Sequence, residues 1–543
     1  MSAAAPDPLR AARLERGVLA AVVASALALL LLGIHWGLPN VESWNGDDIS
    51  PNKPLRVLHD WLRGSHKYPY LHWWLNLGLY APWLGGVAAA GQVDLGCLPK
   101  LKPECFDHPY RDMTVFMVLS RLLSAAMGVG IVLATRRLAL VLHGDRAAAL
   151  FAALICAWSP LLVFFGHTAN LDVPHVFWFT ASLVAAVRVA ERGAPLDYVL
   201  FGLLAGCAIA TKDPIAAAYV LPGAALLGVH VRRVRRESGA GGAALLGRAL
   251  LDRRLLALGG LVVGLYVLVQ NAIFNLEGLQ AHFRSWTDAS AVLAYLRQGN
   301  QGFGRFFWRL GVSLEAELGR AMLVFCAVGA VFSARIAPRT LVLWLPLLSY
   351  VLFALLPSFV EARVMLPLLP LFAVWGGCLA SALLRLRPPL RAAAAAGLAL
   401  GFAQEFLVSL NGDLRMLRDT RYEAEAWIAA NVPQGERFAA FGGSNFLPRL
   451  PLLGYEARYF DITETRPGAL EASGLEWAIF SETRHPLADR DWVEAARSGR
   501  RGYRVVFETH GRSVLPPWFE TRARIGLVSP HLTVLRRETD QRR

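Results

Sequence analysis

Five uncharged apolar runs decide which solvent this chain folds in. They are Gly17–Gly37, Ala147–Gly166, Leu255–Leu276, Thr340–Phe359 and Val364–Leu384. A helix needs about 20 residues to cross the hydrocarbon layer, and each run supplies them. No water is available there, so the backbone must satisfy its own polar groups within the helix. Hydrophobic residues fill 55% of the 543 positions and charged ones only 18%, far from the soluble norm. The chain therefore reads as a polytopic α-helical membrane protein. Its first run follows Arg10, Arg13 and Arg16, where a signal peptide is the alternative. The apolar core is too long for that, and no small-residue cleavage pattern precedes His35-Trp36, so an uncleaved first span is expected.

A net charge of +14 raises the question of nucleic acid. The basic residues instead cluster in short loops between spans: Arg136-Arg137, Arg232–Arg236, Arg253-Arg254, Arg335–Arg339 and Arg385–Arg387. Counting about eleven spans from a cytoplasmic N-terminus puts every one of these clusters inside, as the positive-inside rule requires. Topology accounts for the basicity, and nucleic acid drops out as a partner. The same count leaves a long external loop at 38–112, a second external loop ending near 318, and a C-terminal segment outside. The expected domains are a transmembrane unit over 1–410 and a small soluble α/β domain over 411–543.

In the C-terminal segment the apolar runs end and charges become frequent. Thr420 with Glu423 three residues on forms a capping-box pattern ahead of a short amphipathic helix, which Pro433 and Gly435 end. "EWAIFS", "YRVVFET" and "GLVSPHLTVL" read as strands. Within the first external loop, "YPYLHWWLNLGLYAPWLGGVAAAG" is oily enough for a span, but an extra crossing would put the downstream Arg clusters outside. Its Trp, Tyr and His content suits helices lying at the interface. Cys97 and Cys105, in "CLPKLKPEC", read as a disulfide in an oxidising compartment. A metal site there would have only Asp107 and His108 to add. Cys156, Cys207, Cys326 and Cys378 fall within spans as packing residues.

Topology sorts the polar groups by face. On the outer side, near the membrane entry points, lie Asp47, Asp48, Lys67, His72, Arg121, His167, Asp172, Lys212, Asp213, Glu361 and Arg363. The cytoplasmic side offers only Arg-rich loops. Acids and bases gathered at one interface mark a site. Each has a plainer reading as well. Asp47-Asp48 in "WNGDDIS" fit a solvated turn, and Asp172 ahead of Pro174 fits an N-cap of the fourth span. Lys212 fits a loop between short spans, Arg121 a structural ion pair two turns into the second span, and Arg363 an interfacial anchor.

Taken in order along the chain, these stretches resemble the integral-membrane glycosyltransferases of the GT-C fold. The nearest group holds the protein O-mannosyltransferases and the bacterial lipid A aminoarabinose transferase. Asp47-Asp48 stand where that family carries an acidic pair in the first external loop. "KYPYLHWW" (67–74) is similar to its juxtamembrane stretch and "SRLLSAAMGV" (120–129) to its second span. "HTANLDVPHVFW" (167–178) resembles its second acidic loop, and "AGCAIATKDP" (205–214) its Lys-Asp-Pro element. "EARVMLPLLPLFAVWGG" (361–377) resembles its Arg-led segment, and "RYEAEAWIAANVPQGE" the start of an outer domain. The sequence departs from the family at Asp48, where Glu is usual, and at Tyr70, where Pro is common.

The resemblance implies an enzyme that moves a hexosyl or pentosyl unit from a polyprenyl-phosphate-linked donor to a hydroxyl acceptor. That acceptor would be a protein, lipid A or an envelope glycan. It implies Asp47 as general base, Asp48 as its orienter, and Asp172 completing the polar site or helping to hold a divalent cation. Lys67, Arg363 and, more weakly, Lys212 would grip the donor phosphate, with His72, His167 and Arg121 as further site residues. The metal requirement is left open by the residues themselves. The implied address is a bacterial inner membrane, with a cytoplasmic N-terminus and a periplasmic C-terminal domain. Two other classes compete: a transporter or flippase of lipid-linked or envelope components, and a non-catalytic membrane assembly protein. No internal repeat of the kind transporters carry stands out.

Overall fold

The structure, a computed structural model, describes residues 8–46, 48–287, 303–355, 361–460, 470, 473–481, 498, 502–516 and 528–538. Helices dominate up to residue 431, and a five-stranded sheet follows. Among the described residues six helices are long and apolar enough to cross a membrane, or seven with a pair bent by 55° counted as one: Arg146–Ala157 followed by Pro160–His167. Pro195–Thr211 and Pro338–Ala354 are shorter apolar helices. The polytopic helical architecture is as expected, while these helices do not establish a count of eleven spans, and residues 356–359 of the expected run Thr340–Phe359 lie outside the described residues. The oily stretch of the first loop forms the helix Leu71–Ala89, which is not among the six.

Bends have local causes. Ser159 caps the helix that starts at Pro160 by accepting from Leu162 N–H, and its hydroxyl donates to Glu317 O at 2.7 Å. Proline at the first turn loses no hydrogen bond, so the break falls at this Ser-Pro step. In the helix Phe303–Val331 the backbone leaves helical geometry at Gly319, where φ is +69°. Helices approach closely where side chains are absent: a Cβ at Gly377 would sit 2.3 Å from Ala148 O. This is the small-residue packing that replaces hydrophobic drive between helices in lipid.

The two ends of the bundle differ in charge. At one end Arg146 meets Glu15 at 3.1 Å, Arg385 meets Asp145 at 2.8 Å and Arg254 meets Glu237 at 2.6 Å. Those are the Arg-rich inter-span loops. The first long loop, the "HTANLD" loop and the sheet domain gather at the other end.

That domain begins with the helix Thr420–Asn431, and its N-cap is Asp419, which accepts from Arg421 N–H. The capping box expected at Thr420 is not used: the Thr420 hydroxyl donates to Pro530 O, and Glu423 accepts from Thr509. The strands are β1 (Arg437–Phe441), β2 (Glu456–Phe460), β3 (Trp477–Ser481), β4 (Tyr503–Thr509) and β5 (Leu532–Arg537), in the order β2-β1-β3-β5-β4. β1 runs parallel to β2 and β3, while β5 is antiparallel to β3 and β4. "EWAIFS" and "YRVVFET" form strands as expected, but "GLVSPHLTVL" is a strand only from Leu532. β1 (RFAAF) and β2 (EARYF) are strands that the sequence pattern does not mark. The helix Pro388–Leu417 runs continuously through residue 410.

Cys97 and Cys105 are joined in a disulfide, and Asp94 N–H donates to Cys105 O at 2.8 Å beside it. The four remaining cysteines are free. Closing so short a loop contributes about 2 kcal/mol. Cys97→Ser with Cys105→Ser is expected to raise amide exchange across 92–107 while leaving exchange in the spans unchanged, as mass spectrometry of the detergent-solubilised chain would read.

Candidate active site

The site grows out of the end of the first helix. That helix stops at Leu31, and the turns that follow it are held by a side chain from elsewhere. Arg121 lies in the helix Pro109–His143 with 1% of its surface exposed. Its Nη1 donates to Ile34 O at 2.7 Å and to Trp36 O at 2.8 Å. Its Nη2 reaches Ser43 Oγ at 3.5 Å and lies 3.8 Å from Asp48 Oδ2. The Ser43 hydroxyl donates to the same carboxylate oxygen. Asp48 is thus buried, 4% exposed, and held from two sides. Burial raises its carboxyl to about 6, against the opposing pull of Arg121 and of hydrogen bonds from Ser43 and Thr168. Asp47 lies outside the described residues.

The loop after Asp48 joins the second acidic loop: Ile49 N–H donates to Ala169 O at 2.8 Å. There Asp172 opens the helix Asp172–Glu191, but Leu171 is the N-cap and donates no side chain. The Asp172 carboxylate is instead paired with Lys212 Nζ, so the capping reading gives way to an ion pair between the "HTANLD" and "TKDP" elements. Arg363 is close enough to act on Asp172 electrostatically, and its Nε donates to Glu361 at 2.9 Å. The Tyr68 ring collects two of the expected phosphate-binding cations, with Lys67 Nζ and Lys212 Nζ each 5.6 Å from its centroid. Asp213 bonds His282 at 2.8 Å, and His282 Nδ1 in turn meets His66 O at 2.7 Å. Lys67, Asp172, Lys212 and Arg363 therefore share one region, next to the loop that carries Asp48.

Two expected site residues stand apart from that grouping. His167 is buried, with its ring nitrogens against Val163 O and Leu32 O and Asp413 3.5 Å away. It ties three helices together. His72 is fully buried in the helix Leu71–Ala89, and burial lowers it to about 3, leaving it neutral. Residues the sequence did not single out include Lys53, whose Nζ approaches Asp48 O at 3.4 Å. His66, lowered to about 4 by burial and by Lys53, stays neutral while accepting from Tyr68 N–H. Lys53 follows the acidic pair by five residues in "DDISPNK", a proximity that was available as a signal. Among the described residues no group of three or more His, Cys, Asp or Glu side chains is placed to hold a metal ion.

The sheet domain completes the loop's support. Trp36 Nε1 donates to Asp419 at 3.0 Å, Gly37 N–H donates to the Tyr422 hydroxyl at 2.8 Å, and the Arg421 guanidinium lies 4.0 Å from the Trp44 ring centroid. Arg421 is itself fully buried between the two Asp419 oxygens. A cation held over a desolvated indole is worth more than one at the surface. The acidic loop is therefore gripped from below by Arg121 and from the side by the residues that open the C-terminal domain.

A helical membrane bundle with acids and cations converging at one end, roofed by a small α/β domain, is the class of protein this geometry defines. Residues 107–270 match the family model for dolichyl-phosphate-mannose-protein mannosyltransferase. That segment contains Arg121, Asp172 and Lys212, and over it the chain is similar to protein mannosyltransferases, as the ordered motifs indicate. No curated protein matches the chain in sequence. Among solved structures it is similar to ArnT from Cupriavidus metallidurans bound to undecaprenyl phosphate, with 13% identity and TM-score 0.48 over 95% of this chain and 98% of that one. It is also similar to the oligosaccharyltransferase AglB from Archaeoglobus fulgidus in complex with an inhibitory peptide and a dolichol-phosphate (14%, TM-score 0.42, 86% of this chain and 69% of that one). For the S. cerevisiae O-mannosyltransferase Pmt1-Pmt2 complex bound to the sugar donor the values are 17% and 0.32, over 48% and 34%.

Removing Arg121 leaves Asp48 without its nearest cation and the carbonyls of Ile34 and Trp36 without a donor. Arg121→Met is expected to cost about 3 kcal/mol and to speed proteolysis within 32–50. A variant whose melting temperature and cleavage pattern match the parent would contradict this role.

Proposed function

We propose that the chain is a glycosyltransferase that moves a sugar from a polyprenyl-phosphate donor to a hydroxyl acceptor at the outer face of a bacterial inner membrane. The observation that carries this reading is the convergence of Asp48, Asp172, Lys67, Lys212 and Arg363 at the end of the bundle opposite the Arg-rich loops. That separation of charge supports an outward-facing site by the positive-inside rule. The family description matched by residues 107–270 names a dolichyl-phosphate-linked mannose, which supports a polyprenyl-phosphate donor. Which sugar is moved stays with the chemistry of the donor pocket.

In this reading the donor's tail lies in lipid and its sugar sits against the acidic loop. Asp47 takes the proton from the acceptor hydroxyl as that oxygen attacks the anomeric carbon. The carbon–acceptor oxygen bond forms as the carbon–phosphate oxygen bond breaks, and the electron pair leaves with the polyprenyl phosphate. Lys67, Lys212 and Arg363 stabilise the phosphate charge as it develops. Asp48, buried and bonded to Ser43, is the fixed member of the pair. The Asp172–Lys212 pair keeps a cation beside the leaving group without letting it swing into solvent.

Asp47→Asn and Asp48→Asn are each expected to lower transfer of labelled sugar by at least a hundredfold, with the folded yield of Asp47→Asn unchanged. The pH dependence follows from Asp48. Its folded pKa of about 6 lies above the ordinary 3.8, so the folded state binds the extra proton between these values. Stability then falls as pH rises through this window, while activity, which needs the carboxylate, rises. Asp48→Asn should remove the stability slope. A parent enzyme whose transfer is flat from pH 5 to 7.5 would contradict the assignment.

One observation favours the transport alternative. Glu317 and Glu405 are fully buried in the bundle, and neither carboxyl has a hydrogen-bond partner among the described residues. Buried acids of this kind mark ion paths in transporters. Glu317→Gln with Glu405→Gln separates the two: transfer to within threefold of the parent fits an enzyme with structural acids, whereas abolished lipid-linked substrate movement in proteoliposomes fits a flippase.

A further inference from the structure

Beside the acidic loop lies a cleft of about 190 Å³ between the first external loop and the sheet domain. Asn40, Glu42 and Ser43 line it from the loop, Asn445 and Tyr459 from the domain, and Tyr110 from the helix Pro109–His143. Ser43 has a double position: it lines the cleft, and its hydroxyl donates to Asp48. Ser43 therefore links the cleft directly to Asp48. At ~30 Å³ of liquid per water the space equals roughly six waters, the scale of a single sugar ring.

Its chemistry is specific. Tyr459 lies within electrostatic reach of both Glu42 and Tyr110, so two phenol rings and a carboxylate face one space. Aromatic faces pack against the C–H surface of a ring while phenol, carboxylate and carboxamide groups meet its hydroxyls. Arg449, on the same wall, is neutralised by a bidentate pair with Glu425 at 2.8 and 2.5 Å. The exposed Glu42 carboxylate adds negative charge to the wall. A phosphate entering here meets that carboxylate and no uncompensated cation among the described lining residues, which is discrimination by repulsion.

We propose that this cleft is the acceptor subsite and that it takes a neutral saccharide hydroxyl, in preference to a phosphorylated lipid. The proposal rests on the glycosyltransferase reading and adds the acceptor class. A neutral sugar ring in the cleft has hydroxyls on the Ser43 side, and Ser43 bonds Asp48; Lys67 and Lys212 lie outside the cleft lining, against Tyr68.

The test uses the full chain in detergent micelles with a radiolabelled polyprenyl-phosphate sugar. Three acceptor probes are offered: a neutral oligosaccharide such as maltotetraose, lipid A, and a Ser/Thr-rich peptide. Release of free labelled sugar without acceptor is measured in parallel. The parent is expected to transfer to the neutral saccharide at least tenfold faster than to lipid A. Tyr459→Ala should raise the acceptor KM at least tenfold, with the donor KM and the acceptor-free release unchanged. Glu42→Lys should narrow the preference against lipid A. Equal or faster transfer to lipid A or to the peptide overturns the acceptor assignment, as does an acceptor KM unmoved by Tyr459→Ala. Loss of acceptor-free release and of all transfer in the parent overturns the glycosyltransferase reading itself, and the two failures are thereby distinguished.

Discussion

The placement of Arg121 decides whether the acidic loop has a fixed shape. A guanidinium presents five donors in a rigid plane, and here the plane spans the end of the first helix and the loop that follows it. Two donors go to Ile34 O and Trp36 O and the far side faces Ser43 and Asp48. A lysine in that position would supply one point charge and lose the geometry. The cost of burying such a cation inside the bundle is offset by two backbone carbonyls of the turns after the first helix and by the Asp48 carboxylate. The structural ion pair expected of Arg121 is present, and it ties the residue to Asp48.

Around that anchor the functional groups are arranged by partnership. Asp172 and Lys212 come from different inter-span loops and neutralise each other, which lets both stay at the membrane end without the penalty of a lone buried charge. Tyr68 then places its ring between Lys212 and Lys67. The first external loop, the two later loops and the Arg363 segment become one surface. None of the four sequence elements could build it alone.

Much of this was legible in the sequence because lipid simplifies the rules. Apolar runs and Arg clusters gave the helices and the charge asymmetry, and acids in an oily chain drew attention to Asp48 and Asp172. The Cys97–Cys105 bridge was readable from its loop context. What was not legible depends on contacts between distant segments. His167 looked like a site histidine, but its partners Leu32 O and Asp413 lie on other helices. The helix in the C-terminal domain starts one residue earlier than its capping-box pattern indicates, because Asp419 can also bind Trp36, Arg421 and Ser529. β1 and β2 escaped notice because five-residue strands carrying Arg and Glu show little alternation.

The Trp36–Asp419 bond links positions 383 residues apart, and this bears on how the molecule is made. Ribosomes deliver the acidic loop early and its clamp late, so for most of synthesis the loop is held only from the membrane side by Arg121. The nascent chain passes through the bilayer with its acidic loop unsupported on that side, and the final domain acts as the latch that holds it. A chain interrupted anywhere before residue 419 would insert its first spans yet lack that latch. The shape of the acidic loop is in this way coupled to synthesis of the chain as far as residue 419.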